Sequence, residues 1–180
     1  MDKINYFVEL DIGEITGQAK VEEWREVLKK EGLFKKCITC YHPSIMNLDY
    51  FEKMCVESES KYLAVEGDRP MQRKGRLDYT TLIKIARKHG CRVHGFAMTK
   101  PSALQTFPFF SVDSSSWNAV VVYGKSSRRK MSKEMEKFES ATARTLVGRG
   151  LLLKKEIEAW NKMEDYYTNL WKLRGIDWEK

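Results

Sequence analysis

Short apolar runs rich in β-branched and aromatic residues recur along this chain of 180 residues, and each is followed by a stretch of helical period. That alternation is the pattern of βα units on a parallel sheet, because a crossover must carry the chain back to the same end before the next strand can pair. The runs cover residues 6–10, 37–41, 62–65, 91–96 and 109–112, with 119–123 as a sixth candidate. Between them, Val21, Trp24 and Leu28 recur at helical spacing, as do Leu48, Phe51 and Met54 with Cys55 beside them. Asp78 is placed to cap a helix that buries Leu82, Ile85 and Ala86 and stops at Gly90. Pro101 suits the first turn of a short helix.

Beyond Lys125 the pattern becomes long helix, with Leu151, Leu152, Ile157, Trp160, Met163, Tyr167 and Leu170 as its apolar stripe and an expected break at Gly148 and Gly150. The expected class is therefore α/β: a partial (β/α) TIM-barrel-like parallel sheet of five to six strands in residues 1–124, with a basic helical extension, 125–180, packed on it. A closed eight-fold barrel takes about 250 residues, so closure is excluded and two sheet edges need cover. The C-terminal helices, a homodimer partner or a complementary chain would each supply it.

Charge narrows the partners. The formal net charge is +7, and residues 125–180 hold 14 Lys and Arg against 9 Asp and Glu. Excess positive charge suits phosphate backbones, DNA or RNA, and the candidate contacts are Arg73, Lys74 and Arg76 in a loop and Arg128, Arg129 and Lys130 further on. The same charges, interleaved with Glu on amphipathic helices, also fit an ordinary solvated face. The longest apolar run is far below the ~18 to 20 residues of a membrane span, and Met1-Asp2-Lys3 has no signal-peptide pattern. The expectation is a cytoplasmic protein without a membrane partner, its four cysteines reduced.

In parallel β/α architectures the loops after the strands' carboxyl ends build the site. Asp11, His42, Glu66 with Asp68, His94 and Asp113 each close a different run. Parallel strands would gather these side chains at one rim; the competing reading is that they only cap loops and helices. Cys37 and Cys40 have the spacing of a zinc half-site, with His42 and Cys55 near in sequence. On a strand they point to opposite faces, so no metal site is expected. Ser114, Ser115 and Ser116 lack the glycines of a nucleophile elbow.

The stretches Lys61-Tyr62-Leu63-Ala64-Val65-Glu66-Gly67, Val93-His94-Gly95-Phe96-Ala97-Met98-Thr99-Lys100-Pro101 and Phe110-Ser111-Val112-Asp113-Ser114 resemble the second half of the tRNA-guanine transglycosylase (queuine tRNA-ribosyltransferase) barrel. The chain is more similar still to small phage-borne relatives of that superfamily. Their strands ending in Leu-Asp, in His and in Gly-Gly, their His-Gly-Phe-Gly turn and their Ser-Val-Asp-Ser-Thr-Ser-Trp strand have counterparts here. These are Leu10-Asp11, Tyr41-His42, Glu66-Gly67, His94-Gly95-Phe96-Ala97 and Ser111-Val112-Asp113-Ser114-Ser115-Ser116-Trp117. The resemblance runs from about Tyr6 to Trp117, with an echo at residues 170–176.

The resemblance implies that Asp113 is the carboxylate that attacks the ribose anomeric carbon, a role that splits one displacement into two. It implies that Asp11 reads the guanine edge with paired acceptor oxygens. His42 falls where the family places a base-binding Gln, the backbone of Val65, Glu66 and Gly67 where it places a base-contacting Gly pair, and His94 in its His-Gly-Phe turn. No cofactor is implied. An active chain would be a pentosyltransferase exchanging the base, or another glycosidic-bond enzyme.

The chain departs from the pattern in four places: no counterpart of the family's early Asp-Ser-Gly-Gly strand, Glu66 and Ala97 in place of glycines, and no zinc-binding cysteine set. One expectation is thus a shortened relative that keeps a nucleobase pocket without turnover. The alternative is a non-enzymatic accessory factor that binds nucleic acid or protein through its basic C-terminal helices.

Overall fold

The structure, a computed structural model, describes residues 4–10, 12–67, 78–115 and 146–178. The chain divides into two compact units, Met1–Met98 with Phe109–Val112, and Thr99–Pro108 with Asp113–Lys180.

The first unit is built on five parallel strands in sequential order: β1 (Phe7–Val8), β2 (Cys37–Tyr41), β3 (Tyr62–Val65), β4 (Arg92–Gly95) and β5 (Ser111–Val112). All four pairings are parallel, and the sheet curls as a half barrel, as the alternation of runs predicts. The helices of this unit are α1 (Gly13–Thr16), α2 (Gln18–Lys30), α3 (Leu48–Glu57) and α4 (Tyr79–Lys88). Asn47 caps α3 by accepting from the Tyr50 N–H at 2.8 Å, and Asp78 caps α4 by accepting from Thr81 N–H at 3.2 Å. Gly90, at φ +70°, ends α4, and the Cys91 N–H returns to Ala86 O at 2.8 Å.

Every residue of β2 and β3 is buried, as parallel strands covered on both faces require. Odd-numbered positions face the helices: Tyr41 meets Phe51 of α3 edge-on at 4.8 Å. Even-numbered positions form the inner face, where Ile38, Cys40, Tyr62 and Ala64 cluster with Phe96 and Phe110.

Several expectations are corrected. In α2 the fully buried positions are Val21 and Arg25, with Trp24 and Leu28 only partly covered. Arg25 is buried because Glu9 clamps it with two bonds, Nε to Oε2 at 2.8 Å and Nη2 to Oε1 at 2.6 Å. Leu48 opens α3 and stays exposed, and in α4 Ile83, rather than Ile85, joins Leu82 and Ala86 in the core.

The second unit contains α5 (Pro101–Thr106) and α6 (Leu146–Leu173). Helix α6 runs unbroken through Gly148 and Gly150; a helical glycine costs only about 1 kcal/mol, so these two do not end it. Leu151 and Ile157 are exposed, whereas Met163, Tyr167 and Glu156 are buried. Trp171 Nε1 donates to Leu104 O at 2.8 Å and the Tyr167 hydroxyl to Pro101 O at 3.5 Å, which tie α5 to α6. Gly175, at φ +82°, closes α6, with the Ile176 N–H bonded to Trp171 O at 2.9 Å.

Candidate functional site

The carboxyl ends of β2 and β3 carry a buried ionisable pair. His42 follows β2 and Glu66 follows β3, and the register of Tyr41 on Val65 sets them side by side on the inner face. His42 Nδ1 stands 3.9 Å from Glu66 Oε2, and the two residues are 5% and 8% exposed.

The local chain fixes both. The His42 carbonyl accepts from Ile45 N–H at 3.1 Å and Met46 N–H at 2.8 Å, and the Tyr41 hydroxyl donates to Met46 O at 3.2 Å, so the turn after β2 is held from three sides. The Glu66 carbonyl accepts the Tyr79 hydroxyl of α4 at 3.0 Å. Gly67 answers a steric demand: a Cβ there would lie 2.5 Å from the Phe96 carbonyl oxygen. Gly67 is thus required by the Phe96 backbone, and the position before it carries the Glu66 carboxylate.

The Val65 side chain is fully buried, and its carbonyl accepts the Phe96 N–H at 3.0 Å. Ala97, where the family pattern has glycine, holds φ +55°, a left-handed conformation that costs an L-residue about 1–2 kcal/mol.

His94 is corrected in position. It lies inside β4, not at its end, in register with Ala64 on one side and Ser111 on the other, one row below His42, Glu66 and Phe96. Its Nδ1 is 2.6 Å from Ser111 Oγ, and Ser111 Oγ is also hydrogen-bonded to the Tyr62 hydroxyl. The His94 ring meets Phe96 edge-on at 4.9 Å, and Tyr62 meets Phe110 at 5.2 Å. Burial pushes the Tyr62 hydroxyl above the ordinary tyrosine value, partly offset by its bond to Ser111, so it stays a protonated donor. Ser111 and Tyr62 are functional candidates that pattern reading missed. Their signal was even spacing from the strand-end residues, Tyr62 four before Glu66 and Ser111 two before Asp113, which puts both on the face that carries His94.

Of the remaining expected site residues, Asp113 directly follows β5 and belongs to the second unit. Asp11, Asp68, Arg73, Lys74, Arg76, Arg128, Arg129 and Lys130 lie outside the described residues, as does the run 119–123. Cys40 sits in the inner-face cluster, and Cys37, three residues before it on the same strand, is buried with its thiol pushed up to about 12 by desolvation.

The arrangement offers a carboxylate acceptor and an imidazole on one row, and a second imidazole and an aromatic ring alongside. No family model, curated protein or solved structure matches the chain.

Proposed function

We propose that this chain is a transglycosylase-like nucleobase-binding protein that takes a guanine-type base of DNA or RNA at the carboxyl ends of β2, β3 and β4. The observation that carries the reading is the buried His42–Glu66 pair at the strand ends of a parallel sheet, the place where such folds put ligands. A buried carboxylate beside an imidazole at a strand-end rim is a candidate acceptor for a donor-rich ligand edge.

Glu66 supplies paired acceptor oxygens, the geometry that suits the N1 and exocyclic amino hydrogens of guanine. The resemblance gives that task to Asp11; the burial of Glu66 is the reason to assign it here. Phe96 offers its ring to a flat heterocycle. Asp113 is the proposed attacking carboxylate for any base exchange.

Titration calorimetry with guanine, adenine and cytosine tests the reading. Guanine is expected to bind best, and Glu66→Gln to weaken it at least ~10-fold, the size of one lost charge-assisted bond. Absence of binding for all three bases, or equal affinity in Glu66→Gln, overturns it. Asp113→Asn is expected to abolish base exchange and leave guanine affinity within about twofold, because it removes only the nucleophile.

A further inference from the structure

Away from the strand-end site, two of the buried thiols lie against each other at the amino ends of β3 and β4. Cys55 sits in the last turn of α3 and Cys91 directly precedes β4, and they are 0% and 2% exposed. The Cys91 thiol donates to the Cys55 carbonyl at 3.3 Å, and the Cys55 thiol is hydrogen-bonded to the Cys91 sulfur.

A cation completes the group. Lys61, which precedes β3, holds φ +50°, a left-handed conformation uncommon for any residue but glycine. From there its ammonium donates to Cys55 O at 3.2 Å and Val56 O at 3.4 Å, carbonyls of the last turn of α3, where positive charge is favoured. The Arg92 N–H, bonded to Lys61 O at 2.8 Å, holds Lys61 beside Cys91. The bond from Cys55 keeps the Cys91 thiol below its ordinary value, against burial and with help from the Lys61 charge. Cys55 is pushed up, first by its bond to Cys91 and then by desolvation. One sulfur is thus disposed to ionise and attack, and its neighbour to keep its proton, the division of tasks in a disulfide-forming pair.

We propose that Cys55 and Cys91 are a modification site for a peroxide, which oxidises Cys91 so that Cys55 can close an intramolecular disulfide, with Lys61 as the positioning cation. The Cys91 thiolate attacks the peroxide O–O bond, becoming a sulfenic acid and releasing hydroxide, which takes up the proton that Cys91 gave up on ionising. The Cys55 sulfur then displaces the hydroxyl group from the Cys91 sulfur, and the Cys55 proton leaves with it as water. In sum, two thiols and one hydrogen peroxide give one disulfide and two waters. The Cys55 carbonyl loses its thiol donor in the product but keeps the Lys61 ammonium. Val56, next to Cys55, is 59% exposed, and Gly90, next to Cys91, is exposed as well, so a local opening of the last turn of α3 admits so small an oxidant. The two cysteines are 36 residues apart, and the bridge would tie β3 and α4 into one closed loop. Neither thiol belongs to the strand-end site, so the outcome is independent of guanine binding.

The test treats the full native chain with hydrogen peroxide and follows it by intact mass and peptide mapping. Wild type is expected to lose two hydrogens, with one disulfide joining residues 55 and 91, and to regain them in dithiothreitol. The closed loop should raise Tm by about 5–10 °C. Cys55→Ser removes the resolving thiol, so dimedone should trap a sulfenic acid at Cys91; Cys91→Ser should react with peroxide at least ~10-fold more slowly than wild type. Lys61→Met should move the midpoint of the pH–rate profile upward, because a cation that favours the thiolate is gone, and Lys61→Arg should restore it.

A native wild type that stays reduced under peroxide while the urea-unfolded chain oxidises overturns the proposal. So does a bridge that maps to Cys37 or Cys40 or that joins two chains. A disulfide between residues 55 and 91 whose pH–rate profile is the same in Lys61→Met overturns the part given to Lys61 alone.

Discussion

Two buried polar clusters lie on opposite faces of the same sheet, and they are built in different ways. On the helix-facing side Glu9 and Arg25 are joined by two charge-assisted bonds; Arg25 also donates to the Tyr50 hydroxyl at 3.1 Å, and Tyr50 donates to Glu22 at 2.7 Å. The Cys40 N–H closes the cluster by donating to Glu9. Burial pulls the Arg25 pKa down, but the bonds and charge of Glu9, with Tyr50, outweigh it and raise it overall. On the inner face His42 and Glu66 approach only to 3.9 Å, beyond hydrogen-bond reach of each other. The Glu9–Arg25 cluster pins β1, α2 and α3; the His42–Glu66 pair sits at the ends of β2 and β3, where the proposed base would lie.

The sharpest way to break this comparison is to open the closed cluster. Arg25→Met leaves the Glu9 carboxylate buried without its partner and should cost about 3–5 kcal/mol in urea unfolding. Adding Glu9→Leu should recover much of that loss, since the stranded charge goes with it. Equal stability of Arg25→Met and wild type would show the cluster to be surface ornament. Next in size is Gly67→Ala, whose new methyl meets the Phe96 carbonyl; about 1–3 kcal/mol of destabilisation is expected, together with weakened guanine binding, because the rim itself shifts.

Glu66→Gln sharpens the contrast in the opposite sense, because its effect belongs to binding: the ~10-fold affinity loss should come with less than about 1 kcal/mol of lost stability. A large stability loss with unchanged affinity would put Glu66 in the same structural class as Glu9. The smallest effect expected is that of Ala97→Gly, which relieves the left-handed backbone and should raise stability by no more than about 1 kcal/mol, read as a small upward shift of Tm.

What the sequence disclosed follows the range over which its signals act. Strands β2 and β3 fall on the predicted residues because continuous β-branched and aromatic runs, bounded by turn residues, are local. The Asp78 cap and the Gly90 stop are local as well. Glu9 and Arg25 were invisible, because a charged residue on an otherwise amphipathic helix looks solvated until its partner, 16 residues away just past β1, is placed beside it. The strand-end rule found His42 and Glu66, whose side chains stand 3.9 Å apart. It misplaced His94, whose strand ends one residue later, and so missed the Ser111 and Tyr62 hydroxyls in its row. Gly148 and Gly150 misled for a thermodynamic reason: two weak helix formers do not outweigh the rest of a 28-residue helix.

Backbone amide chemical shifts, recorded as guanine is titrated into the full chain, test the central claim most directly. The account predicts that the largest changes fall on His42, Glu66, Gly67, His94 and Phe96, while Glu9, Arg25 and Tyr50 stay still. Changes centred on the Glu9–Arg25 cluster, or none anywhere at saturating guanine, would contradict it.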